Sequence, residues 1–508
     1  MKKTVHFPKL LPFIIALFYL LLFPAMANFG AGMRKPETPV SPATTVAIQT
    51  DSFTLAPFGK LHLYQPAGAL QSVTLMISGD GGWKYGVIDF AKTFAAEGSL
   101  VVGVDILQYY KSLKASSDKC YHVAADFLAL AAAVEKRAGL KAYQKPVLMG
   151  YSSGATLVYA LLAQARPGAF LGGISLGFCP ESPLSKKFCE LNGLTEESVS
   201  KGFDLDPDLQ LGNRWIVLHG KLDKVCDFPS TSDFVKKTSD AEFIPLENVG
   251  HGFSHYADFM PQWKQAYHAI LADAVRAEQA RRATMPAAAS ASKLAGLPLD
   301  ITEANPARKG GRFAVFFSGD GGWYSFEQKI SERMAADGVP TVGMDTRSYF
   351  WNQKTPQQAA QDLALIMDVY CEKWQKEEVV LIGYSMGAEV LPFILNQLPL
   401  DKQMMVRETI LLSPAENCDF EIHIAGMLGI GSSDYPYKVL PEIQKIAAPL
   451  RKRLLLITGS EENNPMPAQL KNSGVDTATV PGDHHYNNNS SAIYELLKRK
   501  GVGGVPGL

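Results

Sequence analysis

The sequence predicts two tandem α/β domains, one a duplicate of the other, behind a secretory leader. Three observations carry that prediction: a basic and then apolar amino terminus, a set of motifs that occurs twice, and short apolar runs alternating with helical stretches in each half. With 508 residues, of which 47% are hydrophobic, 10% aromatic and 19% charged, the chain has the composition of a protein with large cores. Intrinsic disorder is excluded for its bulk. Lys plus Arg number 49 against 50 Asp plus Glu, a formal net charge of −1. No global positive field exists to hold a nucleic-acid backbone, so DNA and RNA are not expected partners. Six cysteines, none in a C-x-x-C pair, indicate neither a disulfide scaffold nor a zinc site.

The leader occupies residues 1–27. Lys2 and Lys3 precede 14 apolar residues, Leu10 to Phe23, and then Pro24 and Ala25-Met26-Ala27. A basic region, an apolar segment too short for ~30 Å of hydrocarbon, and a small-x-small site describe a signal peptide. An uncleaved anchor is the competing reading. In both cases the remainder faces a secretory compartment, for which the bacterial periplasm is the expectation, and disulfides are permitted there.

Length alone would allow about three domains at ~150 residues each, but an internal repeat reduces the number to two. Met76-Ile-Ser-Gly-Asp-Gly-Gly-Trp83 returns as Phe316-Phe-Ser-Gly-Asp-Gly-Gly-Trp323. Val101-Val-Gly-Val-Asp105 returns as Thr341-Val-Gly-Met-Asp345, and Val147-Leu-Met-Gly-Tyr-Ser-Ser-Gly-Ala155 as Val380-Leu-Ile-Gly-Tyr-Ser-Met-Gly-Ala388. The offsets are 240, 240 and 233, the mark of a duplicated domain with one deletion. The expected domains are 50–275 and 298–502, with 276–297, including the Ala/Ser run at 287–292, as a flexible linker. Within each copy, buried strands such as Ser72–Ser78, Val147–Met149 and Trp215–His219 alternate with helices such as Val123–Arg137 and Thr156–Ala165. That alternation predicts a parallel sheet with helices on both faces, whose functional loops gather at the carboxyl ends of the strands.

Gly150-Tyr-Ser152-Ser-Gly154 and Gly383-Tyr-Ser385-Met-Gly387 are G-x-S-x-G sequences, each between an apolar strand and an apolar helix. The small residues permit a tight turn that raises the serine oxygen above the sheet. A nucleophilic serine needs a base and an acid to orient it. In the first copy Asp223 and His251 follow Ser152, the α/β-hydrolase order; in the second, Glu462 and His484 follow Ser385. Glu461 competes with Glu462 and His485 with His484, and register with the first copy favours Glu462 and His484.

Acyl transfer further needs donors for the developing oxyanion. One is the backbone N–H after the nucleophile, Ser153 or Met386. The other is expected from the Ser-Gly-Asp-Gly-Gly-Trp loop, at Asp80 or Gly81 and at Asp320 or Gly321. No Lys-Ser/Thr follows those glycines, so the loop is not a nucleotide-binding P-loop. Asp320 and Glu389, one helical turn after Ser385, are carboxylates placed to meet a cationic acyl group, and the first copy has Thr156 where Glu389 stands. A structural salt bridge is the plainer reading of Glu389, and loop packing that of Trp83 and Trp323.

Two hydrolase-like domains with a repeated SGDGGW and with GYSSGA and GYSMGAEVLP, behind a signal sequence, resemble the bacterial VirJ/AcvB family of periplasmic virulence proteins. The resemblance covers nearly the whole mature chain. It implies type IV secretion or a related virulence system as context, with secretion-system proteins as partners. It also implies hydrolysis of aminoacyl-phosphatidylglycerol, lysyl or alanyl, at the periplasmic face of the inner membrane, with the active serine at Ser385. The acid loop of the second copy departs from the first in reading Glu-Glu instead of Asp.

Neither cofactor nor metal is implied, because no His-x-x-x-His and no acidic cluster at metal spacing accompanies the serines. Cys179, Cys189 and Cys226 fall in strand-end loops of the first copy and Cys371 and Cys418 in the second; Cys179–Cys226 is the expected disulfide. Two functions remain open: a serine esterase of aminoacyl lipids, and a non-enzymatic accessory protein of a secretion system that kept a hydrolase fold. Two complete sets of serine, histidine and acid favour the esterase.

Overall fold

The strand Ser72–Ile77 reads SVTLMI, and every one of its residues is buried. Val73, Leu75 and Ile77 pack into one apolar cluster and Met76 into another on the opposite face of the sheet. Burial on both faces is what a parallel sheet covered by helices requires. The computed structural model of the protein describes residues 48–284, 294–305, 310–423 and 435–502. The leader at 1–27 and the Ala/Ser run at 287–292 lie outside them. Residues Ala47–Leu508 form one compact unit.

The first sheet has eight strands in the spatial order Thr50–Leu55, Gly59–Tyr64, Ser99–Val104, Ser72–Ile77, Val147–Tyr151, Gly172–Leu176, Trp215–Gly220 and Ala241–Leu246. The first two form an antiparallel edge, and all strands from Ser99–Val104 onward run parallel. A second sheet repeats this order in seven strands: Leu299–Thr302, Thr341–Met344, Arg312–Phe317, Glu378–Tyr384, Val406–Leu412, Leu454–Gly459 and Asp476–Val480. Only Leu299–Thr302 is antiparallel there, and among the described residues the outermost hairpin strand of the first sheet has no counterpart. The fold is thus two α/β-hydrolase-like sheets in one chain.

One detail differs from the sequence expectation. The helix after each serine starts at once, at Ser153 and at Met386, not three residues later as at the expected Thr156. The cause is the close approach described below, which forces the chain to coil immediately. The helix Met260–Thr284 ends within the stretch from Ala274 to Pro298, which the sequence reads as a helix end followed by a linker.

Both tryptophans of the repeated loop are packing residues. Trp83 and Trp323 are 6% and 8% exposed. A Cβ on Gly103 would come within 2.1 Å of the Trp83 ring, and one on Gly343 within 2.6 Å of Trp323. The glycine of the repeated Val-Gly-x-Asp sequence is therefore the seat of the indole. The aspartate of that sequence braces the same loop: Asp345 Oδ2 accepts from the Trp323 N–H at 3.2 Å, and its Oδ1 caps the following helix at Ser348 N, 2.8 Å away.

Candidate active site

Ser152 and Ser385 sit at φ 56° and 50°, a left-handed conformation that costs a non-glycine residue of order 1–3 kcal/mol. The flanking glycines let the turn close. A Cβ on Gly383 would lie 2.4 Å from the carbonyl oxygen of Gly387, and one on Gly387 would lie 2.2 Å from that of Phe317. Only hydrogen fits at these positions, so the G-x-S-x-G pattern follows from backbone-to-backbone contact. The turn is anchored by Ser385 N donating to Leu412 O at 2.8 Å, and by Ser152 N donating to Leu176 O at 2.9 Å.

In the second copy His484 Nε2 lies 3.0 Å from Ser385 Oγ, and His484 Nδ1 lies 2.6 Å from Glu462 Oε1. The other oxygen of Glu462 accepts from Gly459 N and from the Ser413 hydroxyl, each at 2.6 Å. Tyr384 Oη donates to the carbonyl of His484 at 3.4 Å. In the first copy His251 Nε2 lies 2.9 Å from Ser152 Oγ, and His251 Nδ1 lies 2.8 Å from Asp223 Oδ2. Asp223 Oδ1 accepts from Val225 N at 2.8 Å and Cys226 N at 3.0 Å, and Tyr151 Oη donates to His251 O at 3.0 Å. Both copies therefore assemble a serine–histidine–carboxylate relay with the geometry of a base held by an acid. Glu461 is exposed, and His485 turns its Nδ1 to Tyr384 Oη at 2.6 Å.

The Ser-Gly-Asp-Gly-Gly-Trp loops lie directly over the serines: a Cβ on Gly79 would be 3.0 Å from Ser152 Cβ, and one on Gly319 would be 3.5 Å from Ser385 Cβ. Among the described residues, the N–H groups of Asp80, Ser153, Asp320 and Met386 donate to no protein acceptor. Ser153 and Met386 also open helices, whose amino-terminal dipole favours negative charge. Each site thus holds two unengaged N–H groups beside its serine.

Relay and loop together occur in a chain that matches the family of bacterial virulence proteins VirJ over residues 71–167 and 311–500, more than half its length. The chain belongs to the VirJ family. The two matched segments hold both copies of the loop and of the serine turn. No curated protein matches the chain. Among solved structures, it is similar to the esterase domain of a Rhodothermus marinus protein, at 12% identity and a TM-score of 0.29, covering 42% of this chain and 92% of that one. It is similar to Est1E from Butyrivibrio proteoclasticus at 13% identity and 0.30, covering 44% and 99%. TT1662 from Thermus thermophilus gives 17% identity and 0.31, covering 44% and 98%.

The second site of this VirJ-family chain opens into a cavity of about 550 Å³. Six carboxylates line it, from Asp320, Glu389, Glu416, Asp419, Glu421 and Glu462, and no lysine or arginine is among the described lining residues. Glu421 pairs with Lys136 of the first copy at 2.9 Å and Asp419 with His423 at 2.6 Å. Glu389 accepts only a backbone N–H, from Ala415 at 3.2 Å, and makes no ion pair among the described residues. The salt-bridge reading of Glu389 gives way to that of a cavity wall. Burial pushes its pKa up to about 7, and the nearby Asp320 charge adds to the rise. Burial opposes the imidazolium of His484, yet the hydrogen bond and charge of Glu462, with Glu389 and Asp320, hold its pKa above the ordinary value. Burial works against the charged form of Glu462 too, but bonds from His484, Ser413 and Gly459 keep its pKa low. Asp223 is likewise lowered against burial, by Cys226 N, His251 and Val225 N.

Sequence reasoning missed several of these residues. Ser413, Glu416 and Asp419 follow the strand Val406–Leu412 in a segment that repeats nothing in the first copy. Tyr151 and Tyr384 carry a signal that was available, since both copies place tyrosine before the serine.

Proposed function

We propose that the protein is a periplasmic serine hydrolase that cleaves the aminoacyl ester of aminoacyl-phosphatidylglycerol, with Ser385 as the principal nucleophile. The observation that carries this reading is the Ser385–His484–Glu462 relay opening into a cavity lined by six carboxylates and, among its described lining residues, by no lysine or arginine. An aminoacyl ester brings a carbonyl for the serine and an ammonium for the carboxylates. In this scheme Ser385 Oγ attacks the carbonyl carbon while His484 Nε2 takes its proton, and Glu462 supports the imidazolium that forms. The oxyanion meets the N–H groups of Met386 and Asp320. His484 then returns the proton to the departing glycerol hydroxyl, and water attacking by the reverse route frees the amino acid and regenerates Ser385. Asp320 and Glu389 hold the ammonium. The Asp320 carboxylate repels the growing oxyanion, a cost that a cationic substrate offsets.

The same reading treats 50–275 and 298–502 as two catalytic domains, joined by 276–297 and exported by residues 1–27. It takes the phospholipid at the periplasmic face of the inner membrane as substrate, with secretion-system proteins as further partners. Purified protein and its Ser385→Ala variant, given vesicles containing lysyl- or alanyl-phosphatidylglycerol, test it. Release of free amino acid by the first and not the second is the expected result. Equal activity of the two would move the nucleophile away from Ser385, to Ser152 of the first copy, whereas no activity of either while intact vesicles bind favours the non-enzymatic accessory role.

A further inference from the structure

Arg347 is 2% exposed, and a buried guanidinium is tolerated only where its donors are engaged. Its Nε donates to the carbonyl oxygen of Asp320 at 2.8 Å, and one Nη donates to Tyr143 Oη at 3.1 Å. The guanidinium carbon stands 5.0 Å from the centroid of the Tyr143 ring. Tyr143 belongs to the first copy, whereas Asp320 lies in the loop above Ser385. A second tie runs beside the first. Arg166 of the first copy pairs with the fully buried Glu327 at 3.4 Å, and Glu327 accepts from Tyr324 N at 3.3 Å. Tyr324 directly follows Ser318–Trp323, and its ring packs into the apolar core of the first copy. Next to both ties, Trp351 Nε1 donates to Leu140 O and Asn352 Nδ2 to Lys141 O, each at 2.9 Å.

Among the described residues, the first copy has no such support at its own site. Leu107 stands where Arg347 does and is 49% exposed, and Lys84, where Tyr324 stands, is exposed. Two loops of the same Ser-Gly-Asp-Gly-Gly-Trp sequence are therefore held differently. A loop with three glycines is free to reorient its peptides. Fixing the Asp320 carbonyl orients the Asp320–Gly321 peptide, and with it the N–H groups that flank it.

We propose that the amino-terminal copy is a positioning element of the second site: Tyr143 and Arg166 cross the boundary between copies and, through Arg347 and Glu327, hold the Ser318–Trp323 loop in the geometry that receives an oxyanion. The inference rests on the serine-hydrolase reading of Ser385. Neither Tyr143 nor Arg166 touches the reacting atoms. Their contribution is preorganisation, which acts on the transition state and leaves ground-state binding alone.

The test uses the full-length chain with Ser152→Ala, so that only Ser385 turns over, and adds Tyr143→Phe or Arg166→Gln. Turnover of p-nitrophenyl butyrate is measured together with inhibition by phenylboronic acid, whose tetrahedral serine adduct demands the oxyanion donors. The expected result is a kcat lower by roughly ten-fold, less than the loss of a direct oxyanion donor. KM should stay within about two-fold, boronate affinity should fall by the same factor as kcat, and the pH inflection of the histidine should not move. Tyr143→Phe removes a single hydroxyl, so it decides the matter should Arg166→Gln unfold. Turnover and boronate affinity within about two-fold of the parent overturn the proposal, as does a loss accompanied by a shifted pH inflection, which would locate the damage in the relay. A parent that neither turns over nor labels at Ser385 with a fluorophosphonate overturns the hydrolase reading itself, and this inference with it.

Discussion

The hydroxyl of Ser153 donates to Asp80 Oδ1 at 2.7 Å, while Met386, at the same place in the second copy, has no hydroxyl to offer Asp320. One carboxylate is tied to its neighbour and the other faces the cavity. The two sites share a relay and differ in the charge they present to a substrate. Thr156 sharpens the contrast, because it stands in place of Glu389 and donates to Cys179 O at 2.7 Å.

Asp320→Asn should therefore lower turnover of an aminoacyl ester roughly ten- to a hundred-fold, with less effect on a neutral ester of the same alcohol. A partly desolvated ammonium–carboxylate pair contributes about 1–3 kcal/mol. Steady-state kinetics on the two esters check this. Equal losses would mean that the side chain shapes the loop and does not read the ammonium.

Ser385→Ala should abolish hydrolysis and leave the fold intact, since a partly buried turn hydroxyl contributes little to packing. Removal of a relay nucleophile costs about 10⁴-fold or more. Ser152→Ala should cost less on a cationic ester, because its site has Thr156 in place of Glu389 and an Asp80 already bonded to Ser153. Retention of more than about a tenth of the activity by Ser385→Ala, or an equal loss in Ser152→Ala, would move the principal site to the first copy.

The fold was legible because a duplicated motif set gives two readings of each element, and a chance pattern does not recur at offsets of 240, 240 and 233. The preference for Glu462 and His484 over their neighbours rested on register, and those two are the side chains in hydrogen-bond contact with each other and with Ser385. What stayed hidden was what the duplication had changed. Arg347 has Leu107 as its counterpart, so comparing the copies gave it no signal. Its role depends on Tyr143, 204 residues away. The wall at Glu416 and Asp419 belongs to an unrepeated segment. Cys120, paired with Cys189 at a Cα separation of 4.9 Å, carried no strand-end context to single it out.

Export should leave a chain beginning near Asn28. The small residues at 25 and 27 are the expected cleavage site. Amino-terminal sequencing of periplasmic material checks the start. Intact Met1 on protein that stays with membranes after a high-salt wash would establish the anchor.

Reduction should affect the first site selectively. The Cys179–Cys226 disulfide, with a Cα separation of 5.3 Å, fixes the loop whose Cys226 N holds Asp223 Oδ1 at 3.0 Å. Both disulfides lie in the first copy, and Cys371 and Cys418 of the second are free. Opening a loop of this size removes about 3–4 kcal/mol. Mild thiol treatment should slow fluorophosphonate labelling of Ser152 several-fold while that of Ser385 persists. Parallel loss at both serines would instead indicate a global effect.

The pH dependence of the second site follows from the sign of its shifts. His484 must be neutral to accept the serine proton, and its pKa is raised, so activity should rise with pH through an inflection above the ordinary histidine value near 6.5. Glu389 and Asp320 contribute to that rise, so Glu389→Gln should move the inflection of kcat/KM downward and extend activity to lower pH. Glu389 itself, with a pKa of about 7, is largely protonated below that value and charged above it. Preference for a cationic over a neutral ester should thus grow as pH increases from 6 to 8, and the bound ammonium, by stabilising the carboxylate, should release a proton on binding near pH 7. In Glu389→Gln this growth should be lost while the neutral ester is still turned over. Profiles of kcat/KM for the two esters in both proteins provide the measurement. An inflection that Glu389→Gln leaves in place, together with a preference that does not change with pH, would remove Glu389 from both roles.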